Sequence, residues 1–158
     1  MQRTTRTESA VLRGLVALLL ALVAACSTTK SEPEGEWATA QLEAPSGEVL
    51  WNVAMLALAQ YQFPRGTETD PNTMTIETGW KIELSTFRGQ GWRKLAVVKL
   101  EDLGAGMWQV DVRVKKQTNE AIVRQTDLSY AKWEWADDDV DHARIILQYI
   151  RSSLLVSG

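Results

Sequence analysis

The sequence predicts an α+β fold, a two-layer sandwich in which an antiparallel sheet carries an N-terminal and a C-terminal helix packed on one face. Three observations lead there. Apolar residues recur at helical spacing after Ser46, they alternate with polar residues from Met107 to Gln117, and a second helical stripe runs close to the C-terminus. Residues 45–158 are enough to build one self-sufficient core, and no internal repeat divides them.

Ser46 is a good N-cap for the first helix, with Glu48 in its first turn and Val49, Leu50, Val53, Ala54, Leu56, Ala57 and Tyr61 at helical spacing. Phe63-Pro64 ends it, because the residue before a proline disfavours the helical region. Residues 65–72 read as a turn. From Thr73 to Thr78 polar and apolar residues alternate as in a half-buried strand, and Trp80, Ile82 and Leu84 extend the alternation beyond Gly79, which marks a bulge or turn. Residues 92–100 form the next strand region, and Asp102-Leu103-Gly104-Ala105-Gly106 reads as a hairpin connection.

The clearest strand is residues 107–117. Trp108, Val110, Val112 and Val114 lie on one face and Gln109, Asp111, Arg113 and Lys115 on the other, so one face is core and the other wet. Residues 119–130 carry only a short apolar patch, Ala121-Ile122-Val123. The last helix is expected over residues 138–154, with Val140, Ala143, Leu147, Ile150 and Leu154 in its stripe.

Ahead of this domain, Arg3, Arg6 and Arg13 precede an apolar run that starts near Gly14 and ends at Ala25, the charged and apolar regions of a secretory signal. At about 12 residues the run is well short of the roughly 20 that span a bilayer. Val23-Ala24-Ala25-Cys26 resembles the lipobox of bacterial lipoproteins, whose cysteine is acylated and becomes the new N-terminus; Cys26 is the only cysteine in the chain. The resemblance implies residues 1–25 as a cleaved signal and Cys26 as the lipidation site. Each buried methylene contributes about 0.8 kcal/mol, so several acyl chains hold a protein on a membrane without a transmembrane helix. In such lipoproteins an Asp after the cysteine often marks inner-membrane retention; Ser27 stands there, which implies the outer membrane, with the domain facing the periplasm.

Residues 26–44 are rich in Ser, Thr, Glu, Pro and Gly and read as a flexible tether reaching roughly 25 Å. Trp37 is expected to dock back on the domain.

Composition removes several chemistries. A net charge of −3 and a sequence pI near 5.2 disfavour nucleic acid, and without the signal 14 basic residues face 19 acidic ones. One cysteine closes no internal disulfide, and one histidine with one cysteine makes no zinc cluster. The acidic run Asp137-Asp138-Asp139-Val140-Asp141 fails as a calcium loop, since His142 and Gln148 stand where Gly and Glu are needed. It reads instead as helix capping. No Gly-x-Ser-x-Gly elbow, phosphate loop or dinucleotide fingerprint occurs, and His142 is expected to be an exposed helical histidine. Neither a catalytic residue nor a metal or cofactor is expected.

What remains is a basic and aromatic surface. Arg88, Trp92, Arg93 and Lys94 lie in and after one loop, Arg113 is expected on the wet sheet face, and Trp133 and Trp135 flank Glu134 so that in a strand both indoles share one side. Solvated loop charges and core packing of the two tryptophans are the plainer readings; an anion site or an interface anchor is the sharper one.

Lipobox, polar tether and helix, strands, helix order resemble small envelope lipoproteins. Residues 45–154 resemble in pattern the helix-grip modules of the BamC family, accessory lipoproteins of the outer-membrane β-barrel assembly machinery, with one module here where that family carries two. The resemblance implies a non-enzymatic accessory or scaffold subunit of an envelope assembly complex, with a protein partner. The alternative is a periplasmic lipid- or glycan-binding module using a groove between helices and sheet.

Overall fold

The computed structural model describes residues 30–66, 68–84 and 90–156. The signal, Cys26 and Arg88 lie outside the described residues. Along the chain run β1 (Ala38–Glu43), α1 (Gly47–Gln60), β2 (Thr75–Glu77), β3 (Lys81–Glu83), β4 (Trp92–Gly104), β5 (Met107–Asn119), a 3-10 turn (Leu128–Tyr130), β6 (Trp133–Ala136) and α2 (Val140–Val156).

The hairpin of β4 and β5 is the spine of an antiparallel sheet. Each of its outer edges is shared by two short strands. β1 pairs with the first half of β5 and β6 with its last four residues, while β2 and β3 pair in the same divided way with β4. Both helices pack on one face, as the amphipathic patterns predict. Ala96, Val98 and Leu100 of β4 and Val110, Val112 and Val114 of β5 form one apolar cluster with Leu50, Ala54, Ala57 and Leu58 of α1 and with Ala143, Ile146, Ile150 and Leu154 of α2.

Local chemistry sets the boundaries. Ser46 caps α1 by accepting the Val49 N–H at 3.2 Å. The alternation from Thr73 to Leu84 is broken at Thr78-Gly79-Trp80. There the Thr78 hydroxyl accepts the Ala96 N–H at 2.9 Å and the Gly79 N–H turns to the Pro64 carbonyl, so one edge becomes two strands. Gly104, Ala105 and Gly106 all have positive φ, the left-handed backbone that two glycines admit without a Cβ penalty. β4 runs four residues beyond Leu100, up to this turn.

Three sequence expectations are corrected. Residues 26–44 are not all tether: Ala38–Glu43 form an edge strand with Ala38 and Leu42 in the core, and Glu32 and Pro33 are tied to Arg113. Backbone ladder bonds form whatever the side chains are, so a polar composition does not forbid an edge strand. The second sheet face is not wet throughout, because Arg113 is only 8% exposed and Leu95 and Val97 are buried there. His142 is half-buried rather than exposed, its ring 5.6 Å from that of Tyr61 and 5.3 Å from that of Phe63.

Candidate functional site

Successive residues of a strand point to opposite faces, so Arg93, Leu95, Val97 and Lys99 of β4 share the outer face with Asp111, Arg113, Lys115 and Gln117 of β5. Here the tryptophans gather. The Arg93 guanidinium lies 4.4 Å from the ring centre of Trp80 and 4.8 Å from that of Trp133, and Trp135 packs against Trp80 with ring centres 6.0 Å apart. Arg93 Nε donates to Gln117 Oε1 at 2.7 Å. Burial pushes the guanidinium below its ordinary value, and no carboxylate among the described residues pairs with it. Two indole faces supply part of the missing counter-charge, each worth about 0.5–2 kcal/mol depending on desolvation. Further along the face Lys99 Nζ sits 4.7 Å from the Trp37 ring, so Trp37 docks back on the domain.

Arg113 occupies the gap between β1 and β6. Its Nε donates to Asp138 Oδ2 at 2.6 Å, its Nη1 lies 3.0 Å from Glu32 Oε1, and its Nη2 donates to the Pro33 carbonyl at 3.2 Å. Asp138 also accepts the Glu36 N–H at 2.9 Å, and Lys115 shares Glu32 at 3.2 Å. Burial alone would lower the Arg113 guanidinium, but the hydrogen bond and charge of Asp138, with Glu32, raise it. This node straps residues 32–36 across the outer face, next to the start of β1.

On the helix side Lys94 lies 4.4 Å from the Trp92 ring and pairs with Asp139 at 2.5 Å. Asp139 caps α2 by accepting the His142 N–H at 3.1 Å. Burial would raise the Asp139 carboxyl, but the bonds from Lys94 and His142 hold it below the usual carboxylate range. The imidazole of His142 is pushed below 6.5 by burial and by the Lys94 charge, against the pull of Asp139.

Residues 120–131 cross the end of the sheet where β5 stops. Asn119, 3% exposed, organises them: its side-chain oxygen accepts the N–H groups of Ala121 and Lys132, both at 3.0 Å, and its amide donates to the Gln125 carbonyl at 3.2 Å. The loop so built shows Ile122 and Val123 to solvent.

The residues singled out in the sequence are thus divided. Arg93, Arg113, Trp133 and Trp135 share the outer face, whereas Trp92 and Lys94 turn to the helix side and Lys94 is neutralised. Arg88 lies outside the described residues. Trp133 and Trp135 belong to neither the helix-side core nor a free ridge; they wall in Arg93 and Trp80. Trp80, Gln117, Asn119, Asp138 and Glu32 complete the surface. Only Trp80 carries a sequence signal, being in phase with Ile82, which pairs with Arg93.

Among the described residues no group of three His, Cys, Asp or Glu side chains is placed to hold a metal, and no helix is long and apolar enough to cross a membrane. An apolar groove of about 290 Å³ lies between α1 and β2, lined by Met55, Leu58, Phe63 and Ile76 among others. No protein-family model matches the chain, and no curated protein matches it significantly in sequence.

Proposed function

We propose that this protein is a non-enzymatic lipoprotein of the bacterial envelope, anchored in the outer membrane through Cys26 and serving on the periplasmic side as an accessory or scaffold subunit of an envelope assembly complex. One observation carries the reading. The folded domain holds on to its own N-terminal segment as far as Glu32 through Arg113 and Lys115, only a few residues beyond the one cysteine, at the end of a signal-like segment. A domain leashed so closely works at the membrane surface, on partners seated in the same membrane.

The outer face suits such a partner. Arg93 and Lys99 present cations that indoles flank, Arg93 with no carboxylate partner among the described residues, and aromatic residues with arginine are the side chains that interface anchors favour. A lipid- or glycan-binding module is the second reading, favoured by the groove between α1 and β2. At about 290 Å³ that groove stands at the lower edge of the roughly 300–1,000 Å³ that small-molecule sites occupy, and a recess of about 640 Å³ lined by Leu42, Pro45, Arg151 and Leu154 falls inside that range; protein docking ranks first on the cations and indoles of the outer face.

Purification of the full protein from its native membrane in mild detergent, followed by mass spectrometry, separates the two. A stoichiometric envelope protein supports the scaffold reading. Recovery with a bound lipid or glycan and no protein partner overturns it in favour of the second.

A further inference from the structure

The loop over the end of the sheet displays an adjacent apolar pair, Ile122 at 88% and Val123 at 69% exposure, with Leu128 and Tyr130 exposed beside it. This is a built feature. Asn119 ties the loop at both ends and in the middle, and Arg124, at φ 53°, donates from Nη1 to the Tyr130 hydroxyl at 2.8 Å. Side chains held out of the core by so many polar bonds call for a cover.

Chain length indicates which cover. Glu32 is fixed at Arg113 and Lys115, and the six Cα–Cα steps back to Cys26 extend to at most about 21 Å. Measured along β5 at about 3.4 Å per residue, Asn119 stands about 14 Å from Lys115 and about 20 Å from Arg113. A lipid on Cys26 is therefore within covalent reach of the Asn119 end of the sheet, where the exposed apolar pair lies.

We propose that the Asn119 end of the sheet rests on the bilayer that holds the Cys26 lipid, with Ile122 and Val123 entering the interface and Tyr130 and Trp133 at headgroup level. Aromatic residues favour that level because their rings are amphipathic. The contact rests on the lipoprotein reading above. Apolar insertion drives it, because among the described residues at this end Arg93, Lys116, Arg124 and Lys132 are matched by Glu83, Glu120, Asp127 and Glu134. The outer face then stands upright on the membrane, open sideways to a protein partner.

Because Cys26 is the only cysteine and is acylated in this reading, Val123→Cys adds one free thiol for a nitroxide spin label, and Leu103→Cys adds one at the hairpin end. The full mature lipidated variants are reconstituted in phosphatidylcholine vesicles, and relaxation of each label by oxygen is compared with relaxation by a water-soluble nickel chelate. The expected oxygen-to-nickel ratio is several-fold higher at position 123 than at 103, unchanged by added phosphatidylglycerol, and reduced by Ile122→Glu. Water-like ratios at both positions, a higher ratio at 103, or immersion that requires phosphatidylglycerol overturns the proposal. Mass spectrometry of the N-terminal peptide from the same sample separates the two failures. Acylated Cys26 with a water-exposed label at 123 overturns the membrane contact alone, whereas unacylated Cys26 overturns the lipoprotein reading with it.

Discussion

Arg113 links three separate stretches of chain through one guanidinium: the strap at Glu32 and Pro33, the middle of β5, and Asp138 at the approach to α2. The Asp138 side chain is almost fully buried, so Arg113→Ala strands its charge. Removing one partner of a buried pair costs about 3–5 kcal/mol, and a fall in unfolding free energy of about 3 kcal/mol by urea denaturation is the expected result. The double variant Arg113→Met with Asp138→Leu should recover much of that loss, since no charge is then left unpaired. His142 supplies the second prediction at this scale. Its folded-state pKa is depressed, so its contribution is fully present above the unfolded value of about 6.5 and is lost as pH falls through the lower folded value. It is the sole histidine, and stability that begins to decline as pH falls below about 6.5 in the parent, a decline that His142→Gln lacks, is the signature to measure. Asp139, also depressed, gives a separate loss once pH falls into the carboxylate range.

β1 shows why one element was hidden while its neighbours were not. α1, β5 and α2 announce themselves because each buries a periodic apolar stripe, and period alone distinguishes helix from strand. β1 offers only Ala38, Ala40 and Leu42 on its buried side, too little apolar mass to stand out from a Ser, Glu and Pro-rich segment, and its pairing with residues 107–112 of β5 rests on backbone hydrogen bonds that composition does not encode. Leu42→Ala tests the strand directly. In a tether it would cost nothing; in the core it should lower stability by about 2–3 kcal/mol by chemical denaturation. The outer face followed the same logic: alternation gave the correct side for Arg113 and Lys115, but not the strap that covers Arg113, because a covering segment from distant sequence leaves no trace in the strand's own period. The aromatic wall around Arg93 was half legible, since Trp133 and Trp135 share a strand face by spacing, whereas Trp80 reaches Arg93 only through the pairing of β3 with β4.

At the scale of the whole molecule, the strap converts a long reach into a short one. Glu32 is held by the domain and only five residues separate it from Cys26, so the roughly 25 Å expected of an 18-residue flexible tether no longer applies. Address and architecture meet in the function proposed above, a domain fastened close to a bilayer by lipid on Cys26. Cys26→Ala should leave the domain folded yet shift it to the soluble fraction or block its processing; a mature variant that still sediments with membranes argues against the anchor. Most direct is the mass of the N-terminal peptide of the protein isolated from its native membrane. A chain that begins at Cys26 and carries acyl groups on it is the expected result, and a chain that begins elsewhere or bears an unmodified Cys26 would contradict the proposed anchor.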